Sequence, residues 1–98
     1  MFDGLSIMTS FFAEFLHSYK KGWSCTDMGL AHLSTAQECS GAVNYAKSFN
    51  GKAHYVRSGS FSTKLKGCFI DDSGAMFFNT HSTGRHGEDN NICRKGNT

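Results

Sequence analysis

Four cysteines in a chain of 98 residues constrain this protein more than any other feature of its sequence. They stand at Cys25, Cys39, Cys68 and Cys93, and no two form a C-x-x-C pair, so a zinc ribbon or a thioredoxin-like motif has no footing. An even count at wide spacing in a short chain predicts two disulfides, and with them an oxidising compartment. Three connectivities are open at this stage. The competing reading is four buried free thiols, since cysteine packs well as a small apolar side chain. A covalent staple matters here because a single domain of this length buries only a modest core.

What core there is comes largely from aromatics. Nine Phe, three Tyr and one Trp, with 39% hydrophobic and 18% charged residues, describe a globular chain rather than a disordered one. The net charge is only +2, and its ten basic and eight acidic residues are scattered. Nucleic-acid binding needs a clustered basic face. The densest basic groups, Lys20 with Lys21 and Arg94 with Lys95, read as solvated ends of elements, so no nucleic-acid partner is expected.

The opening stretch, "MFDGLSIMTSFFAEFLHSYKK", is apolar enough to raise the question of a signal peptide. Asp3 stands where a positive n-region belongs, and Glu14 and His17 interrupt the apolar run, so no targeting signal is expected. If the cysteines pair as disulfides, Met1 is expected to mark a processed or truncated start. Charges also enter before the roughly 20 apolar residues that a membrane-spanning helix needs. Leu5, Met8, Phe12, Phe15, Leu16 and Tyr19 recur at helical spacing, with Ile7 and Phe11 widening the face. This predicts an amphipathic helix over residues 1–22, with Asp3 and the two lysines suiting its dipole and Gly22 as its stop. Such a helix is either core or a docking element. In the second case Ile7, Met8, Phe11, Phe12, Phe15, Leu16 and Tyr19 face a protein partner in a larger complex, a membrane surface, a pigment or a lipid.

Residues 23–98 read as an α+β domain. "GWSCTDMGLAHLS" is irregular or a short strand. Thr35 and Glu38 form a capping box opening a second helix, with Cys39, Ala42, Val43, Ala46 and Phe49 on one face and Asn50-Gly51 as its end. "AHYVR" predicts a strand. Cys68-Phe69-Ile70 and Ala75-Met76-Phe77-Phe78, split by an acidic turn ending in Gly74, predict a hairpin. "ICRK" supplies a last strand after a polar loop. Helices followed by strands suggest the second helix packed on a small antiparallel sheet.

Few residues point to chemistry. His17, His32, His54, His81 and His86 match no paired ligand motif, although His81 and His86 could converge on a metal with Glu88 or Asp89. Solvated loop residues are the better reading. Asp71 and Asp72 could bind a cation, but aspartates in a hairpin turn usually bond their own backbone. No G-x-S-x-G, phosphate loop or H-E-x-x-H occurs, and no cysteine stands out as an activated thiolate. We therefore expect no catalytic residue, no metal and no cofactor. Asn79, at a strand end, is suited to capping the loop that follows it. Trp23 beside Cys25 is expected to pack over a disulfide. If exposed, it would join His81, Arg85 and His86 of the 80–91 loop in a glycan- or protein-binding surface of a secreted domain.

From Cys25 onward the chain reads "CTDMG", "LSTAQECSGAVNYAKSF", "GCFIDDSGAMFFN" and "NICRK". This order resembles a small four-cysteine domain that recurs in proteins of dinoflagellates and other microalgae, over residues 25–95. That family places a proline before its "GC" motif, whereas Lys66 stands there here. The resemblance implies a disulfide-stapled module, extracellular or lumenal, with the pairs Cys39–Cys68 and Cys25–Cys93. It brings no activity with it. An accessory subunit of a larger algal assembly follows as an expectation, with a photosystem–antenna complex on the thylakoid lumenal side as its natural setting.

Overall fold

The computed structural model describes residues 15–18, 20–82 and 89–95. One mixed sheet carries the fold, built from β1 (Phe15–His17), β2 (Ala31–His32), β3 (His54–Gly59), β4 (Gly67–Ile70), β5 (Ala75–Asn79) and β6 (Asn90–Arg94). Two short helices, α1 (Ala36–Gly41) and α2 (Val43–Ala46), lie between β2 and β3. The strand order is β1-β6-β4-β5-β3, with β2 also paired to β6.

β6 organises the sheet. Ile92 faces His17 of β1 on one side and Cys68 of β4 on the other, so those strands flank it. Arg94 likewise faces both Phe15 and Ala31, which puts β2 on the same edge as β4, beyond its end.

Residues 15–17 are therefore strand, and the helix expected over 1–22 does not extend through them. Residues 1–14 and 19, on which the rest of that expectation falls, lie outside the described residues. A helix would put Phe15 and Leu16 on one face, but in β1 they point to opposite faces. Phe15 is buried in the core cluster and Leu16 is half-buried opposite Cys93. Pairing with β6 has overridden the local period.

The second predicted helix also differs from expectation. Its start is as read: the Thr35 hydroxyl accepts from Glu38 N, and the Glu38 carboxylate accepts from Ser34 N. It then breaks at Ala42, whose N–H turns back to Cys39 O, and continues as α2. Gly41 immediately before the break gives the helix its weakest point. The sheet, finally, is not purely antiparallel, because β3 runs parallel to β5.

The two sheet faces hold different clusters. Cys68, Ile70, Met76 and Ile92 join Phe15, Leu33, Cys39, Ala42, Ala46 and Ala53 in the main core under the helices. On the opposite face Phe69 stacks on Phe77 with centroids 5.3 Å apart, and Phe61 meets both edge-on. At the hairpin, Gly74 has φ +94°, and a Cβ there would lie 2.5 Å from the Lys52 carbonyl oxygen, so only glycine fits. Asp71 Oδ1 accepts from Ser73 N and Ala75 N, closing the turn as the sequence suggests.

A parallel β3–β5 pair obliges the chain to cross the end of β5 before entering β4. Asn79, the last residue of β5, faces Gly59 on one side and Gly67 on the other. Its buried side chain holds the crossing segment. Oδ1 accepts from Phe61 N (2.8 Å) and His81 N (3.0 Å), while Nδ2 lies 2.8 to 3.1 Å from the carbonyls of Phe61, Lys64 and Leu65. Three acceptors share two hydrogens, so one of these bonds is bifurcated. Asn79 caps the loop after it, as expected, and also the loop before it.

Candidate functional site

The cysteines form two disulfides, Cys25–Cys93 and Cys39–Cys68, the pairing that the resemblance implies. The first ties the segment before a short 3-10 turn to β6; the second ties α1 to β4. All four residues are fully buried, so none offers a thiolate to solvent. Beside the first bond, Asn91 Oδ1 accepts from Cys25 N (2.8 Å), and its Nδ2 donates to Lys66 O and Cys68 O. Among the described residues no group of three or more His, Cys, Asp or Glu could hold a metal ion. None of the described helices is long and apolar enough to cross a membrane.

The sequence-derived surface residues are scattered. Of the docking set, Phe15 is only 5% exposed and belongs to the core, a correction to its place in that set. Ile7, Met8, Phe11, Phe12 and Tyr19 lie outside the described residues, as do Arg85 and His86. Trp23 is 36% exposed, with the Lys20 ammonium 5.1 Å from its ring centroid, so it is not buried over the disulfide. His81 is half-buried and its N–H bonds Asn79. The acid Asp89, considered as a metal ligand, is buried and paired with Lys64 at 3.2 Å.

Two histidine environments went unread in the sequence. His17 stacks on Phe49 with centroids 3.7 Å apart, and its Nδ1 lies 2.7 Å from the Tyr45 hydroxyl. Burial pushes the His17 pKa down and the Tyr45 pKa up, which favours a neutral imidazole beside a neutral phenol.

His32 lines the second. It stands at one wall of a cleft of about 460 Å³, with Leu33, Ser34, Lys66, Gly67, Phe78, Asn79 and Thr80 as the remaining lining. The end of β2, the start of β4 and the end of β5 build it. The His32 ring lies against Gly67, where a Cβ would come within 3.0 Å of Nδ1. That nitrogen is shielded from solvent and has no hydrogen-bond partner among the described residues. Burial lowers the His32 pKa first, the Lys66 charge lowers it further, and the nearby Lys66 carbonyl acts in the opposite direction. No short motif marks this cleft, because its residues come from three separate strands' ends.

The two histidines give the fold an acid limit. Both have folded-state pKa values below the ordinary 6.5, so the unfolded chain takes up protons first as pH falls. Their contribution is complete above pH 6.5 and is lost as pH drops through the lower folded values. Glu38 and Asp71 extend the loss further into acid. Burial pushes both carboxyls up, but hydrogen bonds and a nearby cation (Arg94 for Glu38, Lys64 for Asp71) outweigh it and hold them low. The melting temperature should therefore fall between about pH 7 and about pH 5, and less steeply in a His17→Gln/His32→Gln double variant. Parallel slopes for the two proteins would contradict this assignment.

No family model matches the chain, and neither do any curated protein or any solved structure. A functional reading therefore has to stand on the residues themselves.

Proposed function

We propose that this chain is a non-enzymatic interaction module, an accessory subunit of a larger assembly in an oxidising compartment. The observation that carries this is the apolar surface beside the sheet's outer strand. β1 pairs with β6 on one side and with no described strand on the other. Next to it Phe49, at 36% exposure, keeps an aromatic face at the surface against His17. The preceding residues 1–14 are themselves rich in Phe, Leu, Ile and Met and lead directly into that strand. Aromatics and methionine are the residues that interfaces favour. Two buried disulfides suit a rigid body that presents such a surface outside the cytosol.

The finer setting rests on the resemblance: a microalga, a lumenal or extracellular face, and a photosystem–antenna complex as the host assembly. Native fractionation of the source cells, following this chain by mass spectrometry, tests it. Co-migration with a large pigment–protein complex is the expected result, and a Phe11→Ser/Phe12→Ser variant should be released from it while keeping its melting temperature. Recovery as a free small protein would reject the accessory-subunit role.

One observation favours a second reading. Trp23 is exposed, as a glycan- or protein-binding surface requires, and a lysine lies over its ring. Protection of Trp23 fluorescence from a soluble quencher by an added glycan or partner would support that role. Unaltered quenching would remove it.

A further inference from the structure

The cleft beside His32 brings three features together. Its apolar wall is Leu33, which is 2% exposed, together with half-buried Phe78. Its rim carries Lys66, an exposed cation with no ion-pair partner among the described residues. His32 lines it with a ring whose Nδ1 is shielded against Gly67 and has no hydrogen-bond partner among the described residues, and an orphaned buried polar atom costs stability unless a turn of the ring lets something satisfy it. Ser34 adds an exposed hydroxyl, while the Thr80 hydroxyl is engaged with the Gly59 carbonyl. Asn79 also lines the cleft, but its amide is fully committed to the crossing segment.

We propose that this cleft binds a small organic monoanion, a carboxylate on an apolar body, with Lys66 opposite the charge, Ser34 and His32 as hydrogen-bonding groups, and Leu33 and Phe78 against the body. Its volume of about 460 Å³ lies within the range of small-molecule sites. Apolar walls with a few converging polar groups are the usual composition of such sites. Inorganic phosphate fits the lining less well, because one lysine without an arginine or a second cation leaves its charge poorly matched, and the apolar wall would go unused. A bound carboxylate also reverses the electrostatics at His32. It offsets the Lys66 charge and favours the imidazolium, so the His32 pKa should rise on binding.

The test is an NMR titration of the intact, oxidised protein with benzoate, matched against benzyl alcohol and inorganic phosphate. Benzoate should give saturable shifts at His32, Ser34 and Lys66 and an upward shift of the His32 titration midpoint. Lys66→Gln, at an exposed side chain, should weaken binding by about tenfold or more, as expected for loss of a charge-assisted contact, without lowering the melting temperature. Benzyl alcohol and phosphate should shift these signals little at the same concentrations. The proposal is wrong if benzoate produces no saturable shift, if Lys66→Gln binds it equally well, or if either matched compound does as well as benzoate.

Discussion

Replacing Cys25 and Cys93 together by alanine should lower the unfolding free energy by about 4.5 kcal/mol, and the Cys39/Cys68 pair by about 3.5 kcal/mol. These values follow from the chain entropy that each bond removes from the unfolded state, for sequence separations of 68 and 29 residues. Domains of this size are stable by only about 5–15 kcal/mol, so either loss is a large fraction of the total. Alanine is the right replacement because all four positions are fully buried, and a serine hydroxyl there would add an unsatisfied polar group. Urea unfolding curves check the prediction, with the larger loss assigned to the longer loop. A loss below about 1 kcal/mol for either pair would mean that the bonds are not the staple we describe. The same burial predicts that a mild reductant leaves the folded protein oxidised and acts only once denaturant opens it.

The next largest effect is expected at Asn79. Asn79→Asp keeps the shape but replaces the Nδ2 donor by an acceptor, directing a carboxylate at the carbonyls of Phe61, Lys64 and Leu65. With Asn79 at 1% exposure, that change should cost about 3 kcal/mol or more, the scale of a buried donor lost and a charge left unpaired. Asn79→Ala should cost nearly as much, because Phe61 N, which bonds Oδ1, would lose that acceptor. Hydrogen exchange separates this from general loosening. The Phe61 amide should exchange much faster in Asn79→Ala, while amides within the β4–β6 pairing change only with global stability. An Asp variant within about 0.5 kcal/mol of the parent would show that the crossing segment is held by something else.

These two cases mark where the sequence was informative. Local chemistry was legible wherever neighbouring residues decide the outcome. The Thr35–Glu38 cap, the Asp71 to Gly74 turn and the hairpin strands all depend on contacts within a few positions. The count and spacing of cysteines pointed to two bonds before any topology was known. What could not be read was set by partners far along the chain. Phe15 and Leu16 carry a helical period, yet Arg94 and Cys93 opposite them make the segment a strand. The parallel β3–β5 pair leaves no local trace, because "AHYVR" looks the same in either orientation. The His32 cleft was invisible for the same reason: His32, Lys66 and Thr80 meet only because three strand ends converge.

The central place of β6 bears on how this protein must be made. The strand that pairs with β1, β2 and β4 and holds Cys93 leaves the ribosome after every other element of the sheet. Cys39 and Cys68 both precede Cys93 in the chain, so Cys25 is the cysteine that waits longest for its native partner to emerge. Through that interval Cys25 is exposed to exchange with the wrong cysteine, and a thiol–disulfide isomerase in the receiving compartment would correct such pairings. Assembly of this small sheet is thus governed by the order of emergence from the translation machinery as well as by the strength of its contacts.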